Sequence, residues 1–308
     1  MIKLKTFGSF TVGNDLTSVQ EGAWRSKKLE KLFVYLAINR NRGVCIEDIS
    51  KAIWQVEEET DNPVGALKNL AYRLRKALRD ASFDEECIVS VRGGLYKWND
   101  DVEVSIDVEE FDRYINEAEF AFSRSKETAI ESYEKAIALY NGDFLSRLTD
   151  THWFMTLNAF YHSRYVNTVK ALAKLYIDTG CYEKLEQLCT KAVVYERSDE
   201  QIYSYLILAR MRTKKVQMAF DTYETAKAIM DKDLGVRKTV MLNKVYEELL
   251  SVTKGASSYN IDEVKDDISE ESMNGVFMCG YPVFKEIYQL EVRKSARSTI
   301  PESLVLVT

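Results

Sequence analysis

Between Lys68 and Arg79 the chain places five basic side chains, Lys68, Arg73, Arg75, Lys76 and Arg79, with no acid among them. Asn69 and Tyr72 are interleaved with these cations. Ammonium and guanidinium groups neutralise phosphate oxygens, and an amide or a phenol can hydrogen-bond base edges, so the chemistry on offer is recognition of a polyanion. At 100° per residue the segment from Asn62 to Arg79 separates into two faces. Leu67, Leu70, Ala71, Leu74 and Leu78 fall on one side, and Asn69, Tyr72 and Lys76 lie opposite, flanked by Lys68, Arg73 and Arg79. Asn62 is placed to cap this helix, and Pro63 takes its first position, where a missing N–H costs nothing. A basic amphipathic helix is also what an ordinary solvated surface looks like, so its meaning rests on the elements around it.

Those elements can be read from periodicity. Leu29, Leu32, Phe33 and Leu36 form an i, i+3, i+4, i+7 set, and Ile46, Ile49 and Ile53 mark a second, short helix closed by Trp54. After the basic helix, Ile88–Val91 and Leu95–Trp98 are two apolar strands around Gly93-Gly94, a pair suited to a type I′ turn in which both central residues need φ > 0. This hairpin would carry Arg92 at its tip and Lys97 on its return strand. Ahead of the helices, Ile2, Leu4, Phe10 and Val12 alternate with polar neighbours around a turn at Gly13-Asn14-Asp15, which predicts a small antiparallel sheet. A sheet, three helices and a hairpin make a winged helix. Asn69 and Tyr72 are then the candidates for base edges, Lys68, Arg73, Lys76 and Arg79 for phosphates or guanines, and Arg92 and Lys97 for the neighbouring backbone or minor groove.

The middle of the chain is read as all-helical. Leu172, Leu175, Leu185 and Ala192 recur 34 residues later as Leu206, Ala209, Ala219 and Ala226, the period of a tetratricopeptide (TPR) helix pair, and Ala129–Ala136 matches the second helix of such a unit. Small residues there let helices approach, while Tyr133, Leu188 and Tyr223 fill the wider gaps. Tyr161, Tyr165, Tyr176, Tyr182, Tyr195, Tyr203 and Tyr205 are read mostly as packing residues with a hydroxyl at the solvent edge. After Leu250 the composition shifts. Residues 255–275 are polar and acidic and read as a linker, and residues 276–308 as a strand, a helix and a strand, a partial α+β module cut short. The fold class expected is mainly α with a small β component.

Catalytic and metal chemistry finds no support in the sequence. There is no phosphate-binding G-x-x-x-x-G-K-[ST], no G-x-S-x-G elbow and no H-E-x-x-H. The two histidines, His152 and His162, stand ten apart without clustered ligands, which favours structural or surface roles. No enzyme, cofactor or metal is therefore expected. Five scattered cysteines without a C-x-x-C read as reduced, buried thiols, and no apolar run is long enough to span a membrane, so a cytoplasmic protein is expected. The 308 residues carry a net charge of −6, which looks unsuited to a polyanion until it is divided along the chain. Residues 1–103 hold 16 Lys and Arg against 16 Asp and Glu, and the acids gather at Glu57-Glu58-Glu59 and Asp84-Glu85-Glu86, away from the basic stripe. A neutral domain with one basic stripe predicts modest, salt-dependent binding by a single copy, and hence cooperation between copies.

The chain resembles the SARP class of bacterial transcriptional regulators over nearly its whole length. Trp24-Arg25-Ser26-Lys27-Lys28-Leu29, Tyr72–Leu78 and Gly93-Gly94-Leu95-Tyr96 match its OmpR-type winged helix, placed at residues 1–103. Asp107-Val108-Glu109-Glu110-Phe111, Ala138–Leu145 and Asp233-Leu234-Gly235-Val236 match the bacterial transcriptional activator domain that comes next in that family, placed at 104–254. After Gly235 the chain departs from the family, which usually carries prolines there, and has Arg237-Lys238-Thr239. The resemblance implies a regulator, an activator, that binds repeats in double-stranded promoter DNA cooperatively through its helical domain, as a homo-oligomer and in contact with RNA polymerase. A TPR-like interaction scaffold whose winged helix does not bind DNA is the alternative.

Overall fold

The computed structural model describes residues 1–14, 17–55, 62–83, 87–91, 94–234, 239–256, 287–288 and 290–291. The chain forms two compact units, Met1–Lys254 and Gly255–Thr308.

The first unit opens with a meander. β1 (Ile2–Lys5), β2 (Thr11–Gly13) and β3 (Ser18–Gln20) are antiparallel, with Leu4 opposite Val12 and Val12 opposite Val19. The period of two sends Ile2 and Leu4 into the core and leaves Lys3 and Lys5 outside. The sheet turns at Asn14, whose side chain accepts from the Thr17 N–H at 2.8 Å, as asparagine does in tight turns. A fourth strand, β6 (Val104–Ile106), lies parallel to β1 on its other edge, giving the order β3-β2-β1-β6. Parallel neighbours need a long crossover, and here the crossover is the trihelical core itself with its hairpin.

That core consists of α1 (Lys27–Ile38), α2 (Ile46–Ile53) and α3 (Pro63–Asp80), with β4 (Ile88–Val91) and β5 (Leu95–Trp98) after them in the chain. α1 is buried on every side from Leu29 to Ala37, because α2, α3 and β5 pack against it and Tyr35 and Lys31 meet Trp153 and Phe154 of the helical half. Trp98 is fully buried at the end of β5, edge-on to Phe33 at 5.4 Å, and its indole N–H donates to the Val102 carbonyl at 2.7 Å. The hairpin differs from its expected turn. Val91 pairs with Leu95, so three residues connect the strands, and Gly94 takes φ +77° at the last of them. Three-residue loops place their left-handed residue at that position, and the other two loop residues, Arg92 and Gly93, lie outside the described residues.

The helical half runs α4 (Asp107–Ala121), α5 (Lys126–Leu139), a 3-10 turn at Ser146–Leu148, α6 (His152–Thr179), α7 (Tyr182–Tyr195), α8 (Glu200–Arg212), α9 (Val216–Ile229), a π-helical turn at Met230–Leu234 and α10 (Val240–Ala256). Every member of the 34-residue correspondence is buried, as are Ala129 and Ala136, Tyr133, Leu188 and Tyr223. Of the seven tyrosines expected to pack with a hydroxyl at the solvent edge, Tyr161, Tyr165, Tyr176 and Tyr203 are buried. Tyr165 stacks on Tyr140, with ring centroids 3.8 Å apart. Cys87 and Cys189 are buried thiols, but Cys45 and Cys181 are only half-buried, and Cys45 caps α2 by accepting from the Asp48 N–H at 3.5 Å. In the second unit Ile287, Tyr288, Leu290 and Glu291 are helical, within the expected helix. The expected linker and both flanking strands lie outside the described residues.

Candidate nucleic-acid interface

α3 begins as its sequence dictates. Asn62 Oδ1 accepts from the Gly65 N–H at 2.9 Å, with Pro63 at the first helical position. Leu67, Leu70, Ala71, Leu74 and Leu78 are buried against α1 and α2, which fixes the helix about its own axis. The opposite face is therefore held outward. Lys68, Asn69, Tyr72, Arg73, Lys76 and Arg79 are all exposed on it, Tyr72 at 66%, a large value for an aromatic side chain. Tyrosine with its hydroxyl and ring in solvent, between cations, is a side chain waiting for a surface. Arg75 is half-buried and lies close enough to Tyr96 to act on its phenol electrostatically.

The wing strand is fastened to the body. Val44 and Tyr96 exchange two backbone hydrogen bonds, 2.8 and 2.9 Å, so β5 is tied to the loop that leads into α2. Lys97 on that strand is half-buried and forms an ion pair with Asp100, which must be broken or shared if Lys97 is to meet a phosphate. Arg92 lies outside the described residues. The structure thus brings six of the eight candidate residues onto one face of one helix. Neither histidine joins them, and no group of metal-ligating side chains occurs among the described residues.

Sequence reasoning missed the side chains that fix the winged helix relative to the helical half. Asp107 opens α4 and accepts four hydrogen bonds, from the Thr6 N–H (2.7 Å), the Thr6 hydroxyl (2.6 Å), the Phe7 N–H (3.0 Å) and the Val108 N–H (2.9 Å). Burial raises its pKa and these donors oppose the shift. Arg40, just past α1, grips Glu109 with both guanidinium nitrogens, the second at 2.7 Å. Lys31, only 2% exposed, pairs with Asp150 and donates to the Ile53 carbonyl at 3.3 Å, while the Thr151 hydroxyl donates to the Ala52 carbonyl at 2.8 Å. Gly8 (φ +79°) and Gly142 (φ +140°) lie back to back, and a Cβ on Gly142 would come within 3.0 Å of the Gly8 Cα. The sequence signals for this junction were Lys31, which precedes the apolar run Leu32–Ala37 of α1, and the motifs Asp107–Phe111 and Ala138–Leu145.

Residues 106–250 match the bacterial transcriptional activator domain. The match starts at the last residue of β6 and ends within α10, so it covers the helical half and its side of the junction. The chain is 24% identical over 238 residues to the transcriptional regulator RedD of Streptomyces coelicolor, an alignment that covers 76% of this chain and 67% of RedD. Among solved structures it is similar to EmbR of Mycobacterium tuberculosis, solved in complex with a low-affinity phosphopeptide, with a TM-score of 0.61, 20% identity, and coverage of 89% of this chain and 72% of that one. At that identity the likeness to EmbR is one of fold. Two of the three motifs quoted for the helical half, Asp107–Phe111 and Ala138–Leu145, supply Asp107, Glu109 and Gly142 to the junction, while Asp150 and Thr151 lie beyond them.

Proposed function

We propose that this chain is a SARP-class transcriptional regulator that binds promoter DNA sequence-specifically by inserting α3 into the major groove, and activates transcription there. The observation that carries this reading is the division of α3, whose leucine face is buried while Lys68, Asn69, Tyr72, Arg73 and Lys76 all face outward with no acid among them. A solvated surface helix gains nothing from an exposed tyrosine between cations, whereas a groove-binding helix uses each of these groups. Asn69 and Tyr72 read bases, and Lys68, Arg73, Lys76 and Arg79 contact phosphates or guanines. Lys97 and Arg92 extend the footprint along the backbone. The helical half gathers further copies and RNA polymerase, and the protein works in the cytoplasm without catalysing a reaction. No helix among the described residues is long and apolar enough to cross a membrane, which fits that location.

Gel shifts of Asn69→Ala and Lys76→Ala on a site series selected from random DNA test the assignment. Removing a base contact should cost about 1–3 kcal/mol at one position of the site and relax preference there. Removing a phosphate contact should weaken all sequences alike and lower the salt slope by about 1. Unchanged binding by both variants rejects α3 as the recognition helix.

A further inference from the structure

A cleft of about 920 Å³ opens where the start of α6 meets α2 and the first residue of α3. That volume falls in the range of small-molecule sites, and its walls are largely apolar and aromatic. Trp54 and Trp153 contribute indole rings, Leu157 an aliphatic wall, and Tyr35 backs Trp153 edge-on at 4.8 Å. Three formal charges belong to the lining. Arg42 and Lys51 are exposed cations, Asp48 is an exposed carboxylate, and the sum is one positive charge. Arg42 already donates to Asn39 Oδ1 at 3.0 Å, which steadies its guanidinium. Ser50 also lines the cleft, and its hydroxyl oxygen is buried with no hydrogen-bond partner among the described residues. A polar atom left in that state costs free energy that an entering acceptor would recover.

We propose that this cleft binds a small, flat aromatic carboxylate, and that its occupancy is felt at the start of α3. Rings suit the indole walls, the anion suits the net positive lining, and a carboxylate oxygen supplies the acceptor that Ser50 lacks. Pro63, the first residue of α3, is part of the same wall, so an occupant touches the candidate recognition helix directly. The cleft also spans the junction, since one wall comes from α2 and the other from α6. A ligand there contacts both halves of the first unit at once.

Calorimetric titration of the full chain with 1-naphthoate, and separately with the neutral 1-naphthalenemethanol, tests the site without DNA. Saturable one-to-one binding of naphthoate is expected, weakened about tenfold in Lys51→Glu, where the alcohol binds as before. Leu157→Trp should abolish both by filling the cleft, and Thr156→Phe serves the same end if circular dichroism shows the first variant unfolded. No saturable heat with naphthoate, or binding indifferent to every variant, overturns the site. The link to α3 rests on the DNA-binding reading. Naphthoate should shift the DNA affinity, and DNA should shift the naphthoate affinity by the same factor. Binding of naphthoate with DNA affinity unchanged overturns the link and leaves the DNA reading standing, whereas loss of DNA binding altogether leaves the calorimetric result standing.

Discussion

His162 holds two carboxylates at once. Its Nδ1 lies 2.8 Å from Asp143 Oδ1 and its Nε2 3.1 Å from Glu196 Oε2, so both ring nitrogens donate and the imidazolium is the form that fits. The hydrogen bond to Asp143 pushes its pKa up to about 9, and Asp143 is held below the usual carboxylate range by the same bond. The raised folded-state pKa means that the clamp's stabilisation is fully present below about pH 6.5 and is lost as pH rises through about 9. His162→Ala should lower the melting temperature most near pH 6, and the gap from the parent protein should close towards pH 10. A gap independent of pH between those values would show that the ring acts by packing alone. Nothing in the sequence pointed to this clamp, because its partners stand 19 and 34 residues away and only the fold brings them together. Asn69 and Tyr72, by contrast, could be placed in advance, since a single helix fixes their neighbours.

Elements were legible where one period decided them. α3, α1 and α2 follow from apolar spacing, and Asn62-Pro63 marks a helix start by local chemistry alone. The 34-residue correspondence found α6 to α9 because each member buries the same face. The hairpin turn was misjudged by one residue, since the choice between two- and three-residue loops depends on strand register, which sequence does not display. The parallel pairing of β6 with β1 was equally hidden, as its partners are about a hundred residues apart. Gly8 and Gly142 form the other element-level surprise, a contact between two turns. At φ +140°, with Gly8 Cα only 3.0 Å from the site of a new Cβ, Gly142→Ala meets both backbone strain and a clash with main chain that cannot swing aside. Gly180 at the end of α6 has φ +72° with nothing within 4 Å, so Gly180→Ala meets strain alone. Thermal unfolding should show Gly180→Ala costing about 1 kcal/mol and Gly142→Ala up to about 3 kcal/mol. Equal losses would mean that the two turns separate easily and that the junction is not held there.

For the whole molecule, the arithmetic of charge sets what one copy can do on DNA. The chain carries −6 overall and zero over residues 1–103, so attraction depends on the side chains that reach phosphates and not on a long-range field. Lys68, Arg73, Lys76 and Arg79 are exposed on α3, whereas Lys97 shares its charge with Asp100. Four phosphates neutralised at about 0.9 each give a salt slope near −4 for one copy, modest beside proteins that make many more phosphate contacts. The Asp107, Arg40 and Lys31 contacts join the winged helix to the helical half, so a second copy meeting the first through its helices would arrive with its own α3 already oriented. Binding to a DNA fragment with two adjacent repeats should therefore be tighter than twice-counted binding to one, with a slope of about −7. Asp107→Ala, which strips the buried Thr6 and Phe7 amides of their acceptor, should reduce that cooperative gain while leaving single-site binding in place. Quantitative gel shifts over a salt series on one- and two-repeat fragments measure both quantities. If two repeats bind independently, or if Asp107→Ala weakens the single site as much as the pair, then the helical half does not transmit orientation from copy to copy, and α3 must hold its promoter by contacts of its own.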